Sequence, residues 1–219
     1  MVNDDSFTLE GAMARRGPNN GGDKRNRILR AAVKIFSRKG FFNSKVSEIA
    51  RAAEVADGTI YLYFKNKDDL LISLFEEKMG EVVADVRRRI AVGGNAIDRL
   101  RIFIENHMDL LERESGLVEV IQLELRQSTK FLKDYTPVKF FEYLEVISDI
   151  LEEGKREGVI RPDLNVSVAR RAVFGALDEL SLTYILSRKP KYHPDVTAAE
   201  LCRLLLEGLC VPGASAGKE

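Results

Sequence analysis

Residues with chemical potential are scarce in most of the chain and crowded in one short run. The 219 residues contain two histidines, His107 and His193. Neither has a metal-ligating side chain three or four positions on, so the helical zinc spacing is missing. Gly213-Ala214-Ser215-Ala216-Gly217 spells the G-x-S-x-G of a nucleophile elbow. That motif needs a strand before the serine and a helix after it, and this copy stands two residues from the last position. No phosphate loop or dinucleotide fingerprint occurs. An all-α enzyme is therefore the minor alternative, and neither a metal nor a cofactor is expected.

The crowded run is VSEIARAAEVADGTIYLYFKNK, 46–67. It reads as two short helices joined by a tight turn, with hydroxyls, tyrosines and lysines left outside. Ser47, Thr59 and Tyr61 can hydrogen-bond or make apolar contacts with base edges, and Gly58 permits close approach of a helix start to a duplex. Lys45 and Lys67 offer charge to phosphates, and Tyr63 offers a hydroxyl. Asp57 could accept from a cytosine amino group, but capping its own helix is its simpler use. Ile60 and Phe64 belong to the core.

The charge distribution agrees with that chemistry. Net charge is zero, yet residues 24–67 hold eleven Lys/Arg against three Asp/Glu, a net +8. Residues 1–23 carry −2 and residues 68–219 carry −6. A basic head on an acidic body suits nucleic acid, because neutralising phosphates supplies most non-specific affinity. Charge alone would fit a solvated basic face equally well.

The elements that position these groups are helical throughout. Residues 1–22 show no period and read as a mobile arm. From Asp23, a plausible N-cap, the apolar residues Ile28, Ala31, Ala32, Ile35 and Phe36 form one stripe that Gly40 closes. Helices at 46–53 and from Asp57 to about Phe64 complete a head over 23–66. A long helix from Lys67 to the Gly93-Gly94 stop spans about 35 Å, long enough to carry a displacement into the rest of the chain. Further helices are expected after Asn95, over Gly116–Ser128, from the N-cap and N1 pair Thr136-Pro137 to about Glu157, from Asn165 to Ser187, and from Pro194 to about Cys210. The expected fold is all-α with nine helices. A ligand-binding and dimerisation domain occupies 67–211, and a flexible tail occupies 212–219. Val166–Leu186 is apolar on more than one stripe, with Ala169, Ala172, Gly175 and Ala176 permitting close approach. With the leucine-rich last helix it suggests a four-helix bundle between two copies. Burial within one copy is the other use of such a face.

The run from Lys24 to Leu71, and GTIYLYFKNKDDLL (58–71) in particular, resembles the DNA-binding domain of the TetR family of bacterial repressors. Gly58, Ile60, Tyr61, Tyr63, Phe64, Lys67 and Leu70 fall where that pattern wants them. One residue departs from it: Glu54 occupies a turn position where glycine is common. A left-handed backbone there would cost glutamate about 1–2 kcal/mol, and a turn built without that conformation would avoid the cost. The resemblance implies a homodimer whose third helix enters the major groove of each half of a palindromic operator. The stretches ADGTIYLYFKNKDDLLISLFEEKMG (56–80), QLELRQS (122–128) and FGALDE (174–179) resemble the fatty-acid-degradation repressors of that family, which leave DNA on binding long-chain acyl-coenzyme A. This implies an apolar tunnel drawing on Phe103, Met108, Ile121, Leu125, Tyr143 and Phe174, with Arg126 serving phosphates. The polar residues Gln122, His107 and Asp178 join this implied ligand site. Any of them could equally be core: His107 lies on an apolar stripe, and Asp178 could pair with Arg170 or Arg171. The alternative regulator senses another apolar molecule and controls efflux or stress genes.

Composition limits the setting. At 45% hydrophobic and 31% charged the chain can bury a core. No apolar run approaches the roughly 20 residues of a membrane span. Cys202 and Cys210, eight apart on a leucine-rich helix, fit buried thiols in a reducing bacterial cytoplasm better than a disulfide.

Overall fold

The computed structural model describes residues 20–124, 135–187, 191 and 193–211. Among these residues nine helices occur: α1 (Asn20–Lys39), α2 (Val46–Ala52), α3 (Asp57–Tyr61), α4 (Lys67–Ile90), α5 (Ala96–Arg113), α6 (Ser115–Glu119, continued as a π turn over Val120–Glu124), α7 (Val138–Arg156), α8 (Val166–Leu186) and α9 (Pro194–Leu209). The one extended pairing among them is an isolated bridge between Ile160 and Cys210. It ties the end of α9 to the α7–α8 turn. Of the arm expected over 1–22, residues 1–19 lie outside the described residues, as do 125–134 and the tail at 212–219; α1 already begins at Asn20, so Asp23 sits in its first turn and does not cap it.

The head closes around α1. Ile28, Ala32 and Phe36 meet Ile49 and Ala50 of α2, Ile60 of α3, Phe64, and Leu70, Leu71 and Leu74 at the start of α4, all buried. Leu29 lies off that stripe and is buried as well. A second face of α1 meets α6, where Val33 and Ser37 lie beside Gly116. The first helix thus packs on both the head and the body. Gly40 ends it at φ 77, the left-handed closure that glycine adopts without steric penalty.

Several boundaries differ from those expected. Asp57 does not cap α3. Ala56 takes that position with an extended backbone, and Asp57 is the first helical residue. The α-helix ends at Tyr61, and the chain reaches Phe64 through a further turn in which Tyr63 and Phe64 donate to the Ile60 carbonyl. At the start of α7 the cap is Pro137, not Thr136, and Val138 opens the helix. Asn66, Asn95 and Asn165 cap α4, α5 and α8 by accepting from backbone N–H groups, which satisfies donors that helix starts leave unpaired.

The body packs α4, α5, α7 and α8 side by side, with α9 laid along α5. Phe103, Ile104, Val146, Ile147, Leu151, Val173 and Leu177 form its centre. Gly154 of α7 is fixed by proximity: a Cβ there would overlap Ile160 and come within 2.9 Å of Ala96 Cβ. The start of α5 is held to the end of α7 by Glu157, which accepts from the Ala96 N–H at 2.8 Å, and by ion pairs from Arg99 to Glu153 and Glu157. Helix α6 lies between α1 of the head and α5 of the body, so the two parts share a core and not merely a linker.

Candidate functional site

On the head, a shallow open hollow is lined by Ser44, Lys45, Val46, Ser47, Asp57, Tyr61, Asn66 and Lys67. Helices α2 and α3 form its walls, so it gathers five of the eight residues assigned to DNA from sequence. Gly58 is exposed at the first turn of α3, and nothing lies within 4 Å of where its Cβ would be. Thr59 and Tyr63 are half-buried, Tyr63 packing against the core beside Phe64. Tyr61 is 57% exposed and directed outward. Phe42 and Leu62, also on the head, are large and exposed. They were passed over in the sequence because they fall off the apolar stripes.

Lys67 needs a correction. Its ammonium donates to the carbonyls of Phe41 at 2.7 Å, Ser44 at 3.0 Å and Phe42 at 3.3 Å. It also sits 4.5 Å from the Phe41 ring centroid. Three donors meet three acceptors, so the side chain braces the α1–α2 loop against α4 and has no hydrogen left to aim at a phosphate. Arg25 is likewise engaged, paired with Glu77 and stacked over Phe64.

In the body, α4, α5, α6, α7 and α8 enclose a cavity of about 240 Å³. Phe75, Met79, Val82, Leu110, Leu111, Val118, Ile121, Pro137, Phe140 and Phe174 make its wall apolar. Against this wall lie two polar groups. His107 Nδ1 is 2.7 Å from Tyr143 Oη, and Nε2 is 3.0 Å from Ser181 Oγ. Burial pushes the His107 pKa down from 6.5 to about 4, against a smaller opposing pull from Asp178. Burial also pushes the Tyr143 phenol upward. The pair is therefore neutral near pH 7, and both ring nitrogens have partners whichever carries the proton. The second group is Gln122, which donates through Nε2 to Asp178 Oδ1 at 3.0 Å. Its Oε1 is buried without a hydrogen-bond partner, an arrangement that costs about 1–3 kcal/mol until a donor arrives.

Residues 75–208 match the family described as YsiA-like protein, C-terminal region, and residues 28–74 match bacterial regulatory proteins, tetR family. The chain belongs to the TetR family. It is 40% identical over 182 residues to the fatty acid metabolism regulator protein of Bacillus subtilis (strain 168), covering 83% of this chain and 93% of that one. The solved structure of transcriptional regulator FadR from Bacillus subtilis in complex with stearoyl-CoA superposes with a TM-score of 0.79 at 40% identity, covering 84% and 98% of the two chains. Fatty acid degradation regulator FadR from Bacillus halodurans gives 0.76 at 38% identity, again covering 84% and 98%. A TetR-family fold of head and ligand-binding body accounts for the all-α architecture, and the family is one of regulators, not enzymes.

Of the ten ligand residues named from the TetR-family resemblance, the cavity brings together His107, Ile121, Gln122, Tyr143, Phe174 and Asp178. Phe103 and Met108 are not among its lining; they are fully buried core on α5. Leu125 and Arg126 lie outside the described residues. Asp178 accepts from Gln122, while Arg170 turns to Glu145 at 3.1 Å and Ser148 at 3.2 Å. The wall from α4 was missed as a ligand surface, although Phe75, Met79 and Val82 recur at helical spacing. Periodicity marks such residues as inward without telling core from cavity. Cys202 and Cys210 are free thiols, and burial pushes the Cys202 pKa up to about 11. No helix among the described residues is long and apolar enough to cross a membrane.

Proposed function

We propose that this chain is a homodimeric transcriptional repressor of fatty-acid degradation genes, acting in the bacterial cytoplasm and released from its operator by long-chain acyl-coenzyme A. Residues 23–66 form the DNA-reading head, and 67–211 the ligand-binding and dimerisation body. In the head, Ser47, Gly58, Thr59 and Tyr61 read base edges, Lys45 and Tyr63 meet phosphates, and Lys67 holds the loop that presents them. Asp57 is proposed to accept from a cytosine amino group, a use supported by its not serving as the N-cap of α3.

The observation that carries the ligand reading is the apolar cavity with one unpartnered acceptor. Its wall suits an alkyl chain. Neutral His107 and Tyr143 spend their hydrogen bonds on each other and on Ser181, so they make no demand for a charged ligand. Gln122 Oε1 asks for a donor, which the amide N–H groups and hydroxyl of a pantetheine arm supply. A relative 40% identical to this chain is known in complex with stearoyl-CoA, which fits that pairing of tail and arm. Arg126 is proposed for the phosphates.

A mobility-shift assay on an operator enriched from random duplexes tests the whole reading. Stearoyl-CoA should release the protein, and coenzyme A alone should leave the shift in place. If saturating stearoyl-CoA leaves the complex intact, the acyl reading fails. An effector with another apolar body, such as a drug-like cation, then takes its place.

A further inference from the structure

We propose that Glu124 is a latch between the effector cavity and the DNA-reading head, closed in the operator-binding arrangement and opened by ligand. The inference rests on the ligand-released reading above and assigns its coupling to one side chain. Glu124 closes the π turn that continues α6, and two other residues of that turn, Ile121 and Gln122, line the cavity. Its carboxylate reaches out of the body and accepts from the Phe41 backbone N–H at 2.5 Å, across 83 positions of sequence. Phe41 follows Gly40, and the glycine makes room: a Cβ there would lie 3.3 Å from Glu124 Oε2. On its other side the same residue is gripped by Lys67, through its carbonyl and its ring. The loop that leads into α2 is thus clamped between the cavity wall and the first residue of α4.

Two physical features suit this contact to release. The carboxylate stands just past the C-terminal end of α1, where the helix dipole disfavours negative charge, so the contact depends on keeping its hydrogen bond. The π turn has an ordinary α-helical alternative within one residue of register. Relaxing it to α-helical hydrogen bonding shifts the register by one residue, about 100° around the axis, which swings Glu124 away from Phe41. A ligand that displaces Ile121 and engages Gln122 acts directly on that turn, and so favours the open arrangement through differential contacts, as any population shift requires.

The latch predicts opposite changes in the two affinities, which a damaged fold does not produce. In full-length Glu124→Ala, operator binding without ligand should weaken, stearoyl-CoA binding should tighten, and the ligand-induced loss of operator affinity should shrink. A coupling of about 5- to 150-fold is typical for such regulators, and the variant should fall to within about threefold of none. Glu124→Gln keeps an acceptor for Phe41 and should lie between. Hydrogen exchange at the Phe41 amide, followed in the unaltered protein, should accelerate when stearoyl-CoA is added. If Phe41 exchange is indifferent to ligand, or if Glu124→Ala is released as fully as the parent, the latch is wrong while the ligand reading stands. If stearoyl-CoA fails to release the parent, both fall together.

Discussion

His107 carries the clearest pH signature in the molecule. Its imidazole is held between Tyr143 on α7 and Ser181 on α8, with Asp178 the nearby charge and Gln122 bonded to that carboxylate. Folding lowers its pKa from 6.5 to about 4. The unfolded chain therefore takes up a proton near pH 6.5, while the folded chain resists until about pH 4. Neutral His107 contributes its full share of stability above about 6.5, and that share is lost as the pH falls toward 4. The difference amounts to about 3 kcal/mol. In urea titrations across pH 4–7, His107→Gln should flatten this part of the profile relative to the parent. Comparing the two chains removes the opposing effect of Glu76 and Glu119, whose carboxyl pKa values burial raises. Parallel profiles would mean that His107 is not the group being titrated.

At the scale of elements, the turn between α2 and α3 holds the one non-glycine left-handed residue among those described, Glu54 at φ 55. Of the two turn geometries open from sequence, the chain uses the strained one. The Ala50 carbonyl, accepting from Val55 at 3.0 Å, closes the turn tightly enough to demand it. Glu54 is exposed, so its side chain adds no packing that glycine would forfeit. Glu54→Gly should therefore raise stability by about 1 kcal/mol, or about 2–4 °C in Tm for a chain of this size, without altering operator affinity. A lowered Tm would show that the glutamate makes a stabilising contact on the head. The same turn shows how far local sequence reached. Apolar stripes located the bodies of α1 and α4, and Asn95 and Asn165 marked the starts of α5 and α8, because these signals act within one or two helical turns, although α1 starts at Asn20 and not after Asp23. The end of α3, the cap at Pro137 and the π turn at Val120–Glu124 depend on neighbours far along the chain and left no local trace. The site divides in the same way. Cavity residues His107, Ile121 and Phe174 lie on legible apolar stripes. The partners of His107 are 36 and 74 positions away, and the bracing role of Lys67 required the position of the Phe41 carbonyl.

At the scale of the whole molecule, operator reading requires two heads at a fixed spacing, and the outer face of α8 offers the means. Ala169, Val173, Leu177 and Ser181 face the protomer's own core. Val168, Ala172, Gly175, Glu179, Thr183 and Leu186 form a second, exposed stripe, with Val168 64% and Leu186 62% accessible. Gly175 lies at its middle, and among the described residues of its own protomer nothing comes within 4 Å of where a Cβ would stand. Glycine within a helix costs up to about 1 kcal/mol relative to alanine, and no contact among the described residues explains that cost. Close approach of a second copy would. Gly175→Glu separates the two effects: it should leave the protomer's helical circular dichroism intact or slightly strengthened, because the site is open and glutamate favours helix. Placed against its own symmetry mate, the new carboxylate would be buried beside a like charge. Sedimentation should then report a monomer, and operator affinity should fall by at least about tenfold as the two half-sites are bound independently. A Gly175→Glu chain that sediments as a dimer and binds the operator normally would move the interface off this face.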